Sequence, residues 1–367
     1  MNQTGVLLLA VWTALALPAC AWGVPANAGA RAMCNPFGDP PAIVSGTSKP
    51  DCLQGQTLGP WQDADGYDRY ACLWEPSAAA PLPLVIYLHP SVLGPQTVAK
   101  TGLLKYQNTI SLSPGGPAGY IVLAPAGRRT LHHYPRPDEK GLGWDNWYRQ
   151  LNPGGDVIVR GALYRPNADG AAIDHFVKLE LSTGQVDPER IYVMGWSNGA
   201  AMAYLYGLNR PYIAAAVLYS APDPFGALGD PCPQTPITGQ PHDGAQIEIF
   251  NPALAVMHVH NSCDIAGLCP NAERMARQLR AVSANFNDAI IDYGGAQVAQ
   301  CTLSCGADED GAVTPGADFL GYSLGILEHT RWPKGWTPVM LDFLRSHPLS
   351  AGQITDGGPA NESHHAD

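Results

Sequence analysis

The sequence predicts an α/β fold with a mostly parallel central sheet and helices on both faces. Short, continuous apolar runs are typical of strands buried on both faces, and here they alternate with segments of helical periodicity. The 367 residues are 46% hydrophobic and 14% charged, which provides enough apolar side chains for a sizeable core. No internal repeat and no linker between two halves interrupts the alternation, so we expect one large domain.

The individual elements follow from their local patterns. The predicted strands are 82–88, 120–124, 191–194, 214–219, 253–260 and 319–327. The predicted helices are 171–181, 198–208, 271–286 and 338–346. Residues 34–76 are rich in Pro, Gly and Cys, and we interpret them as an N-terminal segment tied down onto the domain.

The N-terminus has the pattern of an export signal. An apolar run at 6–17 precedes the first charged residue, and two small-residue sites that fit signal cleavage follow it. We therefore expect residues 1–28 to be a signal peptide and the protein to be secreted or periplasmic. Two alternatives stay open: lipid anchoring through Cys20, whose context resembles a bacterial lipobox, and a first buried helix in place of a signal.

The cysteines are consistent with export. Of nine cysteines, Cys20 belongs to the signal region, and an even set of eight remains, which predicts up to four disulfides. The eight are Cys34, Cys52, Cys72, Cys232, Cys263, Cys269, Cys301 and Cys305. The pairs Cys263/Cys269 and Cys301/Cys305 are near enough in sequence to form bridges. Their spacings are not those of paired zinc ligands, so we expect no metal.

Charge and hydropathy exclude two classes of partner. The net charge is −11 and the sequence contains no cluster of Lys and Arg, which argues against a nucleic-acid partner. No apolar run reaches the roughly 18 residues that a membrane span needs.

The polar tail 349–367 is expected to be disordered.

The central chemical signal is the motif Gly195-Trp196-Ser197-Asn198-Gly199. It lies between the strand 191–194 and the helix that begins at 198, which is the strand–turn–helix context of a nucleophile elbow. A second G-x-S-x-G match surrounds Ser323, but it lies inside an apparent strand with no helix after it. We therefore assign Ser197 as the nucleophile; the alternative is an ordinary helix N-cap serine.

A serine nucleophile needs a general base and a group that orients the base. In the α/β-hydrolase fold the chain order is serine, acid, histidine. Of the histidines after Ser197, His329 follows the last predicted strand and enters a loop, while His347 fits a helix C-terminus. We assign His329 as the base, Asp264 as the acid after strand 253–260, and Asp292 as the second candidate for the acid.

Two further sets of residues complete the predicted site. The backbone N–H groups of Asn198 and Ser91 are candidates for an oxyanion hole. Asn198 is the residue after the predicted nucleophile, and Ser91 is chosen in the loop after strand 82–88 because Pro90 has no N–H to donate. Aromatic side chains near the predicted nucleophile and base could line a substrate pocket, or they could be loop-packing core. These substrate-binding candidates are Trp144, Trp147, Trp196 and Trp332.

The chain resembles the poly(3-hydroxybutyrate) depolymerase and feruloyl esterase group of secreted α/β-hydrolases. The resemblance is carried by 186–204 around Ser197, by Met257-His258-Val259-His260 leading to Asp264, and by Glu328-His329-Thr330-Arg331-Trp332-Pro333. It covers roughly residues 80–347 and implies Ser197 as nucleophile, Asp264 as acid and His329 as base. We expect the catalytic domain to span residues 29–348. Arg331 is an insertion relative to the His-Thr-Trp-Pro motif of that group, and His89-Pro90 stands where the group usually has His-Gly.

These observations predict an exported, single-domain serine ester hydrolase that acts as a monomer without a cofactor. The expected substrate is a carboxylic ester or polyester, such as a hydroxyalkanoate, a ferulate, an acetate or an aromatic polyester. A serine peptidase of the same fold and a non-catalytic binding protein with this fold are the alternatives.

Overall fold

A computed structural model describes residues 43–45, 47–63, 66–79, 81–130, 142–144, 157–159, 162–164, 168–221, 251–261, 280, 286–291 and 329–350. The predicted signal peptide, the predicted strand 319–327 and nearly all of the predicted tail lie outside these residues, as does the predicted helix 271–286 except for residues 280 and 286. The assignment of domains along the whole chain therefore stays a prediction.

The described residues form twelve strands and five helices. In chain order the strands are β1 (Ile43–Ser45), β2 (Gln56–Gln62), β3 (Asp68–Trp74), β4 (Leu82–Leu88), β5 (Ile121–Pro125), β6 (Arg129–Thr130), β7 (Val157–Val159), β8 (Ala162–Tyr164), β9 (Val186–Trp196), β10 (Ala215–Tyr219), β11 (Ala255–Asn261) and β12 (Phe286–Ile291). The helices are α1 (Val98–Thr101), α2 (Leu103–Tyr106), α3 (Ala168–Ser182), α4 (Asn198–Asn209) and α5 (Thr337–Arg345).

Eight strands form one central sheet in the order β12-β11-β10-β9-β4-β5-β3-β2. The six strands from β12 to β5 are parallel, and β3 and β2 continue the sheet antiparallel to their neighbours. The strand that ends at the predicted nucleophile, β9, lies inside the sheet between β4 and β10. This mostly parallel sheet confirms the predicted α/β-hydrolase fold, in which sites form at the carboxyl ends of the strands.

Helices cover both faces of the sheet, as the continuous apolar strands predict. Along β4, Leu84 and Ile86 point into a core shared with helices α3 and α4. The alternate residues Val85 and Tyr87 point into a second core shared with α1, α2 and α5. Each strand residue is therefore buried on one face or the other, which explains why no polar alternation marks this strand.

The sequence prediction missed the hairpin of β2 and β3 within 34–76. Gly59-Pro60 interrupts β2, and the register with β3 shifts between Leu58 and Trp61. Because β2 is the edge strand of the sheet, a proline and an irregularity are tolerated there, and they hide the strand from a pattern-based prediction. The prediction was also wrong at Phe286, which begins strand β12 rather than ending a helix.

One disulfide joins Cys52, in the turn before β2, to Cys72 in β3. It connects the edge hairpin covalently to the residues that precede it and agrees with the predicted pairing of cysteines. The pairs Cys263/Cys269 and Cys301/Cys305 lie outside the described residues.

Candidate active site

Ser197 occupies a sharp turn between β9 and α4. Its backbone is in an unusual conformation for a residue with a side chain (φ 56°, ψ −122°), and its N–H donates to the carbonyl of Tyr219 (2.9 Å). A Cβ at Gly195 would collide with the carbonyl oxygen of Gly199, and one at Gly199 would collide with the carbonyl oxygens of Leu88 and His89. Both glycines of the motif are thus required by close backbone approach, and the turn holds Ser197 at the end of the strand.

The predicted nucleophile and the predicted base meet in space. The Oγ of Ser197 lies 2.7 Å from Nε2 of His329, across 132 residues of sequence. Both residues are half-buried. With the imidazole proton on Nδ1, Nε2 accepts the hydroxyl proton of the serine in a hydrogen bond, which is the geometry required for proton transfer from a nucleophile to a base.

Two donors from the central sheet hold the segment that follows His329. The indole N–H of Trp196 donates to the carbonyl of His329 (2.9 Å), and the hydroxyl of Tyr219 donates to the carbonyl of Arg331 (2.8 Å). The ring of Trp332 packs edge-on against both aromatic rings, and its own N–H donates to Oγ1 of Thr337 (2.9 Å). His329 is therefore held through backbone carbonyls and an aromatic cluster.

The loop after β4 contains Ser91, one of the two predicted oxyanion donors. Pro90 has no N–H, and the N–H of Val92 donates to the carbonyl of Leu142 (2.7 Å). Within the described part of the chain, the N–H groups of Ser91 and Asn198 have no hydrogen-bond partner. These are the two N–H groups that the sequence predicts for an oxyanion hole, and that role stays a prediction.

Trp144 connects the two sides of this candidate hole. Its backbone N–H donates to Oδ1 of Asn198 (2.8 Å), and its indole N–H donates to the carbonyl of His89 (2.8 Å). The ring is completely buried and lies against the imidazole of His89, with the two ring centres 4.8 Å apart. Sequence analysis placed Trp144 in a loop rich in aromatic residues, but nothing in the sequence indicated these partners.

His89 is a buried, neutral histidine that does not face Ser197. Its Nδ1–H donates to the carbonyl of Pro90 (2.9 Å), while its Nε2 accepts the N–H of Gly127 (2.9 Å). Burial lowers the pKa of His89 to about 4, with the nearby Arg69 acting in the same direction and the Pro90 carbonyl and Asp169 opposing it. Both ring nitrogens are occupied by backbone groups, so this histidine fixes the loop after β4 rather than accepting a proton.

A buried ionic cluster, which sequence analysis missed, lies close to this loop. Arg69 of β3 donates to Asp63 (3.2 Å) and to Asp169 at the start of α3 (2.5 Å), and Arg128 donates to Asp63 (3.2 Å). All four side chains are almost completely buried, which requires such pairing. The cluster joins the edge of the sheet to α3 and to the residue after Gly127.

The structure locates the remaining predicted residues as follows. Trp196 is 2% exposed and Trp144 is fully buried, whereas Trp332 is half-buried beside the base. Their predicted contact with substrate stays a prediction. His347 donates from Nδ1 to the carbonyl of Phe343 at the end of α5, as its helix-end position indicated. The other predicted or alternative site residues, Asp264, Asp292, Trp147 and Ser323, lie outside the described residues.

The described residues contain neither a candidate metal site nor a candidate membrane-spanning helix. No group of three or more His, Cys, Asp and Glu side chains in this part of the chain is arranged to hold a metal ion. Among the helices described, none has both the length and the apolar character to cross a bilayer.

Comparisons with known proteins gave matches to solved structures alone. No protein-family model and no curated protein matches the sequence. A thermostable esterase is 15% identical with a TM-score of 0.44, and the match covers 81% of this chain and 64% of the esterase, or just under two thirds of its length. The structure of native pOPH is 14% identical (TM-score 0.48, covering 84% of this chain and 90% of that one). An acetyl xylan esterase from Aspergillus awamori is 16% identical (TM-score 0.41, covering 62% and 79%). The α/β-hydrolase assignment therefore rests on the strand order described above.

Proposed function

We propose that this protein is an exported serine hydrolase of carboxylic esters, with Ser197 as nucleophile and His329 as general base. The observation that carries the proposal is the 2.7 Å separation of Ser197 Oγ and His329 Nε2 at the end of the central strand. A serine hydroxyl is a weak nucleophile until a base takes its proton, and this pair meets that requirement.

The proposed reaction has two halves. Ser197 Oγ attacks the ester carbonyl while His329 Nε2 takes the serine proton, and the same proton then goes to the leaving alkoxide. The N–H groups of Asn198 and Ser91 donate to the oxyanion that forms on the carbonyl oxygen, a contribution that is worth roughly 3 kcal/mol per donor in related chemistry. His329 next takes a proton from water as the water oxygen attacks the acyl carbonyl, and it returns that proton to Ser197 Oγ as the bond between Oγ and the acyl group breaks and the acid is released.

Asp264 is the proposed acid that orients the imidazole of His329. Strand β11 ends at Asn261, at the carboxyl edge of the sheet where β9 also ends, and Asp264 comes three residues later in the sequence. Asp292, directly after β12, is the alternative. An acid hydrogen-bonded to Nδ1–H holds the proton on that nitrogen and leaves Nε2 free to accept the proton of Ser197.

Export and substrate class complete the proposal. The disulfide between Cys52 and Cys72 supports an oxidising compartment, in agreement with the apolar N-terminal run. The resemblance to polyester depolymerases and feruloyl esterases favours an ester whose acid is a hydroxyalkanoate or a ferulate.

Substitution of Ser197 tests the proposed reaction. Ser197→Ala should reduce hydrolysis of p-nitrophenyl acyl esters by several orders of magnitude. Ser323→Ala is the matched control, because it changes the other G-x-S-x-G serine, and it should keep the parental rate. Parental activity in Ser197→Ala, or faster cleavage of peptide p-nitroanilides than of the esters by the parent, would reject the proposed esterase.

The choice of acid is tested by a second pair of variants. Asp264→Asn should cut kcat by roughly 10⁴-fold while the protein stays folded, because the imidazole then favours the wrong tautomer. Asp292→Asn should change kcat little. If the two results are reversed, Asp292 is the acid and the assignment of Ser197 and His329 is unaffected.

A further inference from the structure

Two aromatic residues that lie outside the reacting groups connect the nucleophile to the base. Trp196 and Tyr219 are direct register partners on the adjacent parallel strands β9 and β10. Each is the last residue of its strand, so both reach the edge of the sheet where Ser197 turns into α4. Their side chains extend to the segment that begins at His329.

The two side chains donate to backbone carbonyls on either side of Thr330. The indole N–H of Trp196 donates to the carbonyl of His329 itself (2.9 Å). The hydroxyl of Tyr219 donates to the carbonyl of Arg331 (2.8 Å), two residues further on. Because the two accepting carbonyls lie on either side of Thr330, these hydrogen bonds restrict both the position and the rotation of the backbone that carries the imidazole of His329.

Tyr219 also holds the nucleophile. Its carbonyl accepts the N–H of Ser197 (2.9 Å), which is the residue in the strained turn. One residue therefore contacts the backbone of Ser197 through its main chain and the segment after His329 through its side chain. The distance between the two reacting side chains depends on this connection.

Burial makes these hydrogen bonds persistent. Tyr219 is fully buried and Trp196 is 2% exposed, and the ring of Trp332 packs against both with ring centres 5.2 and 5.9 Å away. A buried donor that loses its acceptor is not compensated by water, so the contacts are costly to break. The aromatic cluster thus acts as one rigid support.

We infer that Trp196 and Tyr219 are positioning residues that set the distance between Ser197 Oγ and His329 Nε2. The inference rests on the proposed function, because it assigns a role in the reaction that Ser197 and His329 would carry out. A misplacement of about 1 Å between reacting groups can reduce a rate by roughly a hundredfold. Removing one donor should therefore act on the chemical step and not on substrate binding.

Tyr219→Phe is the main test, because it removes only the hydroxyl and leaves the ring and the carbonyl in place. The matched control is Tyr120→Phe, which removes another buried hydroxyl that donates to a carbonyl, that of Leu103 (2.6 Å). Tyr120 directly precedes β5, which β4 separates from β9 in the sheet. Both variants should lose similar thermal stability. We expect Tyr219→Phe alone to lower kcat at least tenfold with KM changed less than twofold, while Tyr120→Phe keeps the parental kcat.

Two further measurements separate positioning from a general structural role. The rate of the p-nitrophenol burst, which reports acylation of Ser197, should fall with kcat in Tyr219→Phe. Trp196→Phe should show the same loss of burst rate, which covers the case in which Tyr219→Phe does not fold. A kcat/KM profile against pH should change in midpoint for Tyr219→Phe and keep its midpoint for Tyr120→Phe, since only the former alters the surroundings of the base.

The outcomes distinguish this inference from the proposed function. If the parent shows a burst and hydrolyses esters but Tyr219→Phe and Trp196→Phe keep the parental burst rate, the positioning role is wrong and the esterase stands. Equal loss of kcat in Tyr219→Phe and Tyr120→Phe would also overturn the positioning role. If the parent shows neither a burst nor hydrolysis, both the esterase and the positioning role fall.

Discussion

Two buried tryptophans beside the Ser197 turn make the same kind of hydrogen bond with different consequences: Trp196 precedes Ser197 in the chain, and Trp144 contacts the side chain of Asn198. Trp196 donates its indole N–H to the carbonyl of His329 (2.9 Å), and Trp144 donates its indole N–H to the carbonyl of His89 (2.8 Å). On the first side the histidine directs Nε2 at the serine hydroxyl. On the second side Nε2 of the histidine is occupied by the N–H of Gly127.

The comparison shows that burial and ring partners decide what a histidine can do. His89 has both nitrogens satisfied by backbone groups and a pKa lowered to about 4 by burial, so it stays neutral and fixes a loop. His329 is half-buried and has Nε2 against a hydroxyl that can give up its proton. The residue type and the supporting indole are the same, and the donor at Nε2 makes the difference: a backbone N–H at His89 and the serine hydroxyl at His329.

The residues that hold His329 and His89 in place also differ. On the side of His329 the support is aromatic and consists of Trp196, Tyr219 and Trp332. On the side of His89 a buried ionic cluster that includes Arg69 and Arg128 lies next to Gly127. We therefore expect disruption of the ionic cluster to affect stability strongly, and disruption of the aromatic support to affect the reaction rate.

The largest expected effect on stability comes from Arg69→Met. Removing one partner of a buried ion pair leaves the carboxylates of Asp63 and Asp169 undercompensated, which costs about 3–5 kcal/mol of unfolding free energy. Arg345→Met is the control, because its ion pair with Asp342 is exposed and should contribute within about 1 kcal/mol. Chemical denaturation of both variants measures the difference, and equal losses would show that the cluster is no more important than a surface pair.

The second effect is a pH dependence of stability that comes from His89. Its pKa is about 4 in the folded protein and roughly 6.5 when unfolded, so the unfolded chain binds the extra proton between these values. The contribution is fully present above about pH 6.5, is lost as the pH falls to about 4, and amounts to roughly 3 kcal/mol. Unfolding free energies measured at intervals between pH 4 and 7 should fall towards acid in the parent and fall less in His89→Gln. A variant with the parental slope would show that His89 is not the group responsible.

The smallest expected effect comes from Trp144→Phe. The substitution removes the indole donor to His89 but keeps the backbone N–H that donates to Asn198. Loss of one buried hydrogen bond should cost about 1–3 kcal/mol of stability. Because the proposed oxyanion donor Asn198 keeps its partner, kcat should fall less than in Trp196→Phe. A larger fall in kcat for Trp144→Phe than for Trp196→Phe would contradict this account, because it would show that the contacts around His89 control the rate more strongly than those around His329.

Much of the fold could be predicted from the sequence because the central elements have simple patterns. Strand 82–88 was predicted with its observed ends, and the helix after Ser197 differs by one residue at its end. The hairpin of β2 and β3 was missed because β2, as an edge strand, tolerates Gly59-Pro60, and this dipeptide is typical of a loop. Patterns of apolar residues report burial, and an interrupted edge strand carries little of that signal.

The candidate site was predictable where chain order restricts the choice. The strand–turn–helix context selected Ser197, and the order of residues selected His329, which the structure brings within hydrogen-bond distance. The contacts of Trp144 and of the Asn198 side chain were not predictable, because a loop aromatic gives no sign of whether it faces a ligand or the core. The ionic cluster was hidden for a similar reason, since Arg69 and Asp169 are 100 residues apart.

Active-site labelling tests the central claim most directly. The parent, His329→Ala and the control His347→Ala are treated with a fluorophosphonate ester, and the modified peptide is identified by mass spectrometry. The proposed pairing of Ser197 with His329 predicts that the label is on Ser197, that His329→Ala slows labelling by several orders of magnitude, and that His347→Ala labels at the parental rate. A label on another residue, or parental labelling in folded His329→Ala, would contradict the account.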